Sequence, residues 1–85
     1  VSAGEIRVIL TVLAGAVEHD IGAASAHREA VEQMQAQLSS AWAGSLRDEA
    51  ATALAHTHTA IEKIVSGIDR LHHCSSLLRG AAAEY

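Results

Sequence analysis

The chain has no proline and no phenylalanine, and only one cysteine, one tryptophan and one tyrosine in 85 residues. Each absence excludes something. Without proline, nothing in the chain forbids long unbroken helices. With Cys74 alone there is no internal disulfide, and no CxxC-type metal site exists. So few aromatics cannot fill a dense core in one small chain, and chains this short usually need a staple or a partner. Basic residues are also scarce, six Lys and Arg against ten Asp and Glu, with no basic cluster. That argues against nucleic acid, whose affinity comes largely from phosphate neutralisation.

What is present is alanine and aliphatic surface. The hydrophobic fraction, 49%, is too high for a disordered chain. Apolar surface with little means of burying it alone points to association. No apolar run approaches the roughly 20 residues of a membrane span, so no membrane span is expected. Arg7, the run from Val8 to Leu13 and Ala14-Gly15-Ala16 imitate a short signal peptide with an A-x-A site. Glu5 offsets Arg7, however, and the helical period continues through the supposed cleavage point, so the stretch reads as helix.

The chain divides at Ser40-Ala41-Trp42-Ala43-Gly44-Ser45. One apolar-periodic run precedes it and another follows. The expected fold is all-α: a single helical-hairpin domain over residues 1–85, with helix one over about 8–39, a turn at 40–45 and helix two over about 46–83. Ile6, Val8, Leu10 and Val12 alternate with period two, but a strand there would have no partner. Val1 to Arg7 therefore reads as an extended lead-in. Ser45, three residues before Asp48, is the expected N-cap of helix two.

With Leu10 at heptad position a, helix one carries Leu10, Val17, Ala24, Val31 and Leu38 at a. Position d holds Ile6, Leu13, Asp20, His27, Met34 and Ala41. With Leu54 at a, helix two carries Leu54, Ile61 and Ile68 at a and Ile64, Leu71 and Leu78 at d. Both helices have a small-residue column at g, and the arms are expected to approach along those columns. That would leave the wider apolar faces, with Ile21 and Val65 added, for a second hairpin. The simplest completion is a dimeric four-helix bundle. The interface residues, within the hairpin or between two of them, are thus Leu10, Leu13, Val17, Ile21, Val31, Met34, Leu38, Leu54, Ile61, Ile64, Ile68, Leu71 and Leu78.

Trp42-Ala43-Gly44 at the turn of an Ala-rich hairpin of this length resembles the WXG family, the small helical-hairpin proteins exported by type VII (ESX-type) secretion systems. The resemblance covers nearly the whole chain. It implies a dimer, with itself or with a paralogous WXG protein. It also implies export by a signal-peptide-independent route from the cytoplasm, recognition by the secretion ATPase, and no enzymatic activity. In the family a tyrosine near the end of helix two usually opens the export signal Tyr-x-x-x-Asp/Glu. Tyr85 matches the tyrosine, but the sequence has no acidic residue four positions later, so that signal is half present or absent. No phenylalanine follows the turn, where many relatives carry an aromatic. A composite signal of this kind would set the Trp42 turn of one subunit beside the C-terminal helix of an antiparallel partner. The recognition residues implied are Trp42, Gly44 and Tyr85. Two other readings stand beside this one: a non-secreted helical adaptor for a larger toxin, and a generic coiled-coil oligomer with Trp42 incidental.

The remaining chemistry is thin. Trp42 is expected to be partly exposed, and Gly44 to permit a special backbone angle or a close approach. His56 and His58, and the neighbours His72 and His73, are spaced so that no two imidazoles share a helix face. No metal and no cofactor is expected. Pairing the arms about Trp42 puts His27 level with Thr57 and His58, as a seam histidine bonded to Thr57, and sets Asp20 near Lys63. Protonation of His27, His58 and His72 would loosen a dimer in acid. No second carboxylate faces Asp20, and Ser39, Ser40 and Cys74 lack an oriented base, so an enzyme is not expected. Cys74 reads as a small packing residue.

Overall fold

The computed structural model describes residues 1–44 and 47–85. The chain is a hairpin of two long antiparallel helices, α1 (Ala3–Ala41) and α2 (Asp48–Ala83), with no strand among the described residues. Its extents are 64 × 15 × 15 Å, a rod one helix pair thick.

Helix one begins about five residues earlier than the sequence suggests. Ser2 is its N-cap, and the Glu5 backbone N–H donates to Ser2 Oγ at 3.1 Å. Ser2-x-x-Glu5 is the spacing of a capping box, with an acidic residue in the first turn. The period-two alternation from Ile6 to Val12 is not that of a lead-in. It arises because this part of α1 is apolar nearly all the way round. The expected N-cap of α2 at Ser45 lies, with Leu46, outside the described residues. The helix starts at Asp48 with Arg47 in the N-cap position, its backbone extended at φ −76° and ψ 130°.

The turn is closed by backbone. Trp42 N–H donates to the Leu38 carbonyl at 2.9 Å and Ala43 N–H to Ser40 at 3.3 Å. Gly44 follows at φ +80°, the one positive φ among the described residues. A Cβ added there would meet nothing within 4 Å, so the position needs glycine for its backbone angle and not for space.

The helix faces differ from the expected seam in one helix and match it in the other. In α2, the a and d columns are turned inward as the sequence indicates: Ala50, Ile61, Ile68, Ser75 and Ala82 are buried, and Leu54, Thr57, Ile64, Leu71 and Leu78 are half-buried. In α1 the a column also faces inward, with Leu10, Val17, Ala24, Val31 and Leu38 half-buried. Its partner column is e, not d. Ala14 is fully buried, and Ile21, Arg28 and Gln35 are half-buried, whereas Leu13, Asp20, His27 and Met34 are exposed. The reason is the cost of burying Asp20 and His27 against an aliphatic face. Turning the helix by about half a residue step puts both in water and brings in Arg28 and Gln35, whose stems pack while their heads reach outward. Arg28 shows the residual strain of that choice. Its Nε is buried without a hydrogen-bond partner, with the Glu32 carboxylate 3.7 Å away. The α1 arm does not approach along its g column either: Ala16, Ala23 and Ala30 are exposed, whereas in α2 Ala60 and Cys74 are exposed and Ala53, Gly67 and Ala81 half-buried.

Replacing Gly44 should destabilise the hairpin through its backbone angle alone. Gly44→Ala is expected to cost about 1 kcal/mol, and Gly44→Asn distinctly less, since Asn tolerates positive φ. Chemical denaturation of the two variants checks this. Equal losses would mean that the turn relaxes to a different geometry.

Candidate interaction surface

Two contacts between the helices fix their register. Arg79 grips Glu18 with both ends of its guanidinium, Nε to Oε1 at 2.9 Å and Nη2 to Oε2. Arg7 Nη2 donates to the Tyr85 carbonyl oxygen at 2.9 Å. α2 has no basic residue in its last turn, so the other helix supplies the donor that its end lacks. Residues whose numbers add to between 92 and 97, the sums of these two pairs, therefore lie roughly level on the two helices.

This register corrects the pairing about Trp42. The pivot lies beyond Trp42, because α1 runs to Ala41 and α2 starts only at Asp48. Asp20 comes level with the stretch from His72 to Leu77, not with Lys63, which lies about a dozen Å or more further along. Both Asp20 and Lys63 are exposed. His27 is exposed and level with the stretch from Val65 to Arg70. Thr57 instead donates its hydroxyl to the Ala53 carbonyl of its own helix at 2.8 Å. His58 and His72 are exposed too, and His58 Nε2 lies 2.9 Å from Glu62. Among the described residues no three metal-ligating side chains come together.

The bridge also tells the two broad sides of the rod apart. Glu18 is at heptad position b and Arg79 at e of α2, so one side carries b of α1 and e of α2, with Glu32, His58 and His72 alongside. By helical geometry the opposite side carries d and g of α1 and g and c of α2. Here α1 shows Ile9 and Leu13 and, nearer the turn, Met34, which are 61%, 48% and 58% exposed. On α2 the same side has Leu77, 60% exposed, beside the small residues Gly67, Cys74 and Ala81. The small column of α1 thus lies on this exposed broad face, and that of α2 lies at its border with the seam. Val8 and Val12 extend the apolar surface onto the back of α1.

The surface is correspondingly large. The accessible area is 6057 Å² for 8.9 kDa, against roughly 4,800 Å² for a compact globule of that mass. Length and composition alone would let α1 cross a membrane, with a mean hydropathy of 1.3 over its best window, only 11% of it buried. This differs from the expectation of no span, because Glu5, Arg7, Glu18 and Asp20 break the sequence into apolar runs each too short to span.

Of the interface residues named from sequence, Leu13 and Met34 face outward and the other eleven face the seam. Trp42 is 37% exposed at the turn, and Tyr85 is 47% exposed at the open end, the full length of the rod away.

The hydrogen bond from Arg79 holds the Glu18 carboxyl below its ordinary value near 4.5, with the charge of Arg79 and the Ser75 hydroxyl adding and partial desolvation opposing. The same bond holds the Arg79 guanidinium above its ordinary value. Near pH 4 the folded chain thus binds fewer protons than the unfolded one. The stabilisation is complete above about pH 4.5 and is lost as pH falls through the lowered value. Both side chains are half-exposed, so the effect is small and weakened by salt. The melting-temperature gap between the wild type and Arg79→Met should be present at pH 7 and narrow as pH falls below 4.5. A gap that persists in acid would mean that Arg79 acts through packing alone.

Comparisons with protein-family models, with curated proteins and with solved structures find no match for this chain.

Proposed function

We propose that the protein is a WXG-type assembly partner of a type VII secretion system, working as a dimer of hairpins and not as an enzyme. The observation that carries this reading is the apolar broad face of the rod, with Ile9, Leu13, Met34 and Leu77 each about half exposed or more. Large apolar side chains exposed together on one side of a small chain, here interrupted by Asp20 and His27, mark an interaction surface. The face measures 64 by 15 Å, roughly 960 Å² in projection, against about 800 Å² per partner in a standard interface. Mating it with a second hairpin would remove most of the excess accessible surface noted above. Trp42, partly open at the end of α1, and Tyr85, open at the end of α2, are the residues offered to the secretion ATPase.

Light scattering at low micromolar concentration, with circular dichroism, tests the assembly. The expected result is a helical species of twice the chain mass. Leu13→Glu should weaken association at least tenfold while leaving the helical content of the hairpin intact, because Leu13 lies outside the seam. A folded monomer that binds phosphatidylcholine vesicles instead would assign the apolar face to lipid. A poorly folded monomer rescued by a second chain would make the partner a paralogue. For the secretion role, Trp42→Ala should keep the dimer and abolish export from cells with a working type VII system. Unchanged export would remove Trp42 from recognition.

A further inference from the structure

We propose that Asp20 and His27 lock the register of the dimer: Asp20 of each copy pairs with His27 of the other, twice over, where α1 lies antiparallel against α1. The proposal rests on the dimer reading above and adds which polar residues hold the two hairpins in place.

Leu13, Asp20, His27 and Met34 stand one heptad apart in a single column of α1. The seam takes positions a and e, so this d column points out of the exposed broad face. All four residues are exposed. Asp20 and His27 make no ion pair or side-chain hydrogen bond with any described residue, so nothing within the hairpin competes for them. The column reads apolar, acid, base, apolar. Reversed, it complements itself: Leu13 matches Met34, and Asp20 matches His27. Slid by one heptad, it brings Asp20 onto Asp20 and His27 onto Leu13. Slid the other way, it brings His27 onto His27 and Asp20 onto Met34. Like charges and unpaired polar groups in a contact oppose association. The unslid register alone pairs acid with base and apolar with apolar.

Helix geometry permits this register. α1 runs from Ala3 to Ala41, so its midpoint is residue 22. Laid antiparallel about that midpoint, the α-carbons of Asp20 and of the other copy's His27 lie about three residues apart along the axis, roughly 5 Å. Each side chain leans toward the N-terminus of its own helix. In an antiparallel pair those leans converge for Asp20 with His27 and for Leu13 with Met34. They diverge for the two Asp20 residues. The pairing of a helix with its own copy is also independent of the stagger between α1 and α2 within the hairpin. The Asp20 carboxylate accepts an imidazole N–H whether or not His27 is protonated, so this contact does not weaken when His27 gains a proton. Along the other half of the face α2 meets α2 at Ala60 and Cys74, both small and exposed. Lys63 and Arg70 stand at the outer edge there, where their charges stay in water. Each Trp42 turn then lies beside the open end of the other copy, as the WXG resemblance implies.

Two measurements decide it. In the first, Asp20→Arg and His27→Asp should each weaken dimerisation at least about tenfold, since each leaves mismatched groups facing across the contact. The double variant, with acid and base exchanged, should recover to within about threefold of the wild type or better. Both positions are exposed in the single hairpin, so the variants keep their helices, as circular dichroism should confirm. In the second, Cys74→Ala removes the native thiol and Ser39→Cys carries a spin label on the side of the rod away from the contact. Pulsed electron resonance should give an inter-label distance of about 50 Å, because Ser39 of one copy lies level with Glu5 of the other. A distance of about 20–30 Å would put turn beside turn. That result, or a double variant no tighter than the single ones, overturns the pairing and leaves the dimer standing. A wild-type chain that stays monomeric at about 100 μM overturns both.

Discussion

A rod one helix pair thick has no interior, and the rest of this structure follows from that. Every residue of either helix lies within one side chain of solvent or of the other helix. The choice at each position is therefore which side to face, not how deep to lie. Ala14 is fully buried because it is small and sits where the backbones come near. The larger aliphatic residues of the seam are mostly half-buried. Stability in such an arrangement comes from a long line of modest contacts, with the Glu18 and Arg79 pair setting the offset between them.

The second consequence is that apolar residues are left over. Helix α1 has too many for one seam, and its first turns are apolar on opposite sides. A helix of this kind is comfortable only when covered on both sides. The hairpin covers one. This imbalance, more than any single motif, is what the proposed association rests on.

Much of the hairpin was legible in the sequence. The absence of proline, the heptad columns and the Ser/Gly turn at Trp42 fixed two helices of nearly the observed lengths. The a and d columns of α2 face inward because their residues are apolar almost throughout, which leaves periodicity nothing to compete with. In α1 the d column mixes Leu13 and Met34 with Asp20 and His27, and periodicity alone could not weigh the desolvation of the polar pair against the gain from the apolar one. The register was misjudged for a related reason. It depends on where α2 begins, and on a guanidinium reaching a carboxylate 61 residues away. Neither is a local property of sequence. The helix start at Ala3 was legible in Ser2-x-x-Glu5 but was obscured by the strand-like alternation just after it. The arms were expected to approach along both small columns, and that the α1 column lies outside the seam follows only once the rotation of α1 is known.

The bond from Arg7 to the Tyr85 carbonyl ties the two ends of the described chain together. Any polypeptide joined before Val1 and any joined after Tyr85 would leave the rod from the same place, some 64 Å from the turn. The hairpin is in that sense a one-ended handle. A cargo fused at either terminus would hang from one tip, while the tip bearing Trp42 stayed clear for whatever grasps it.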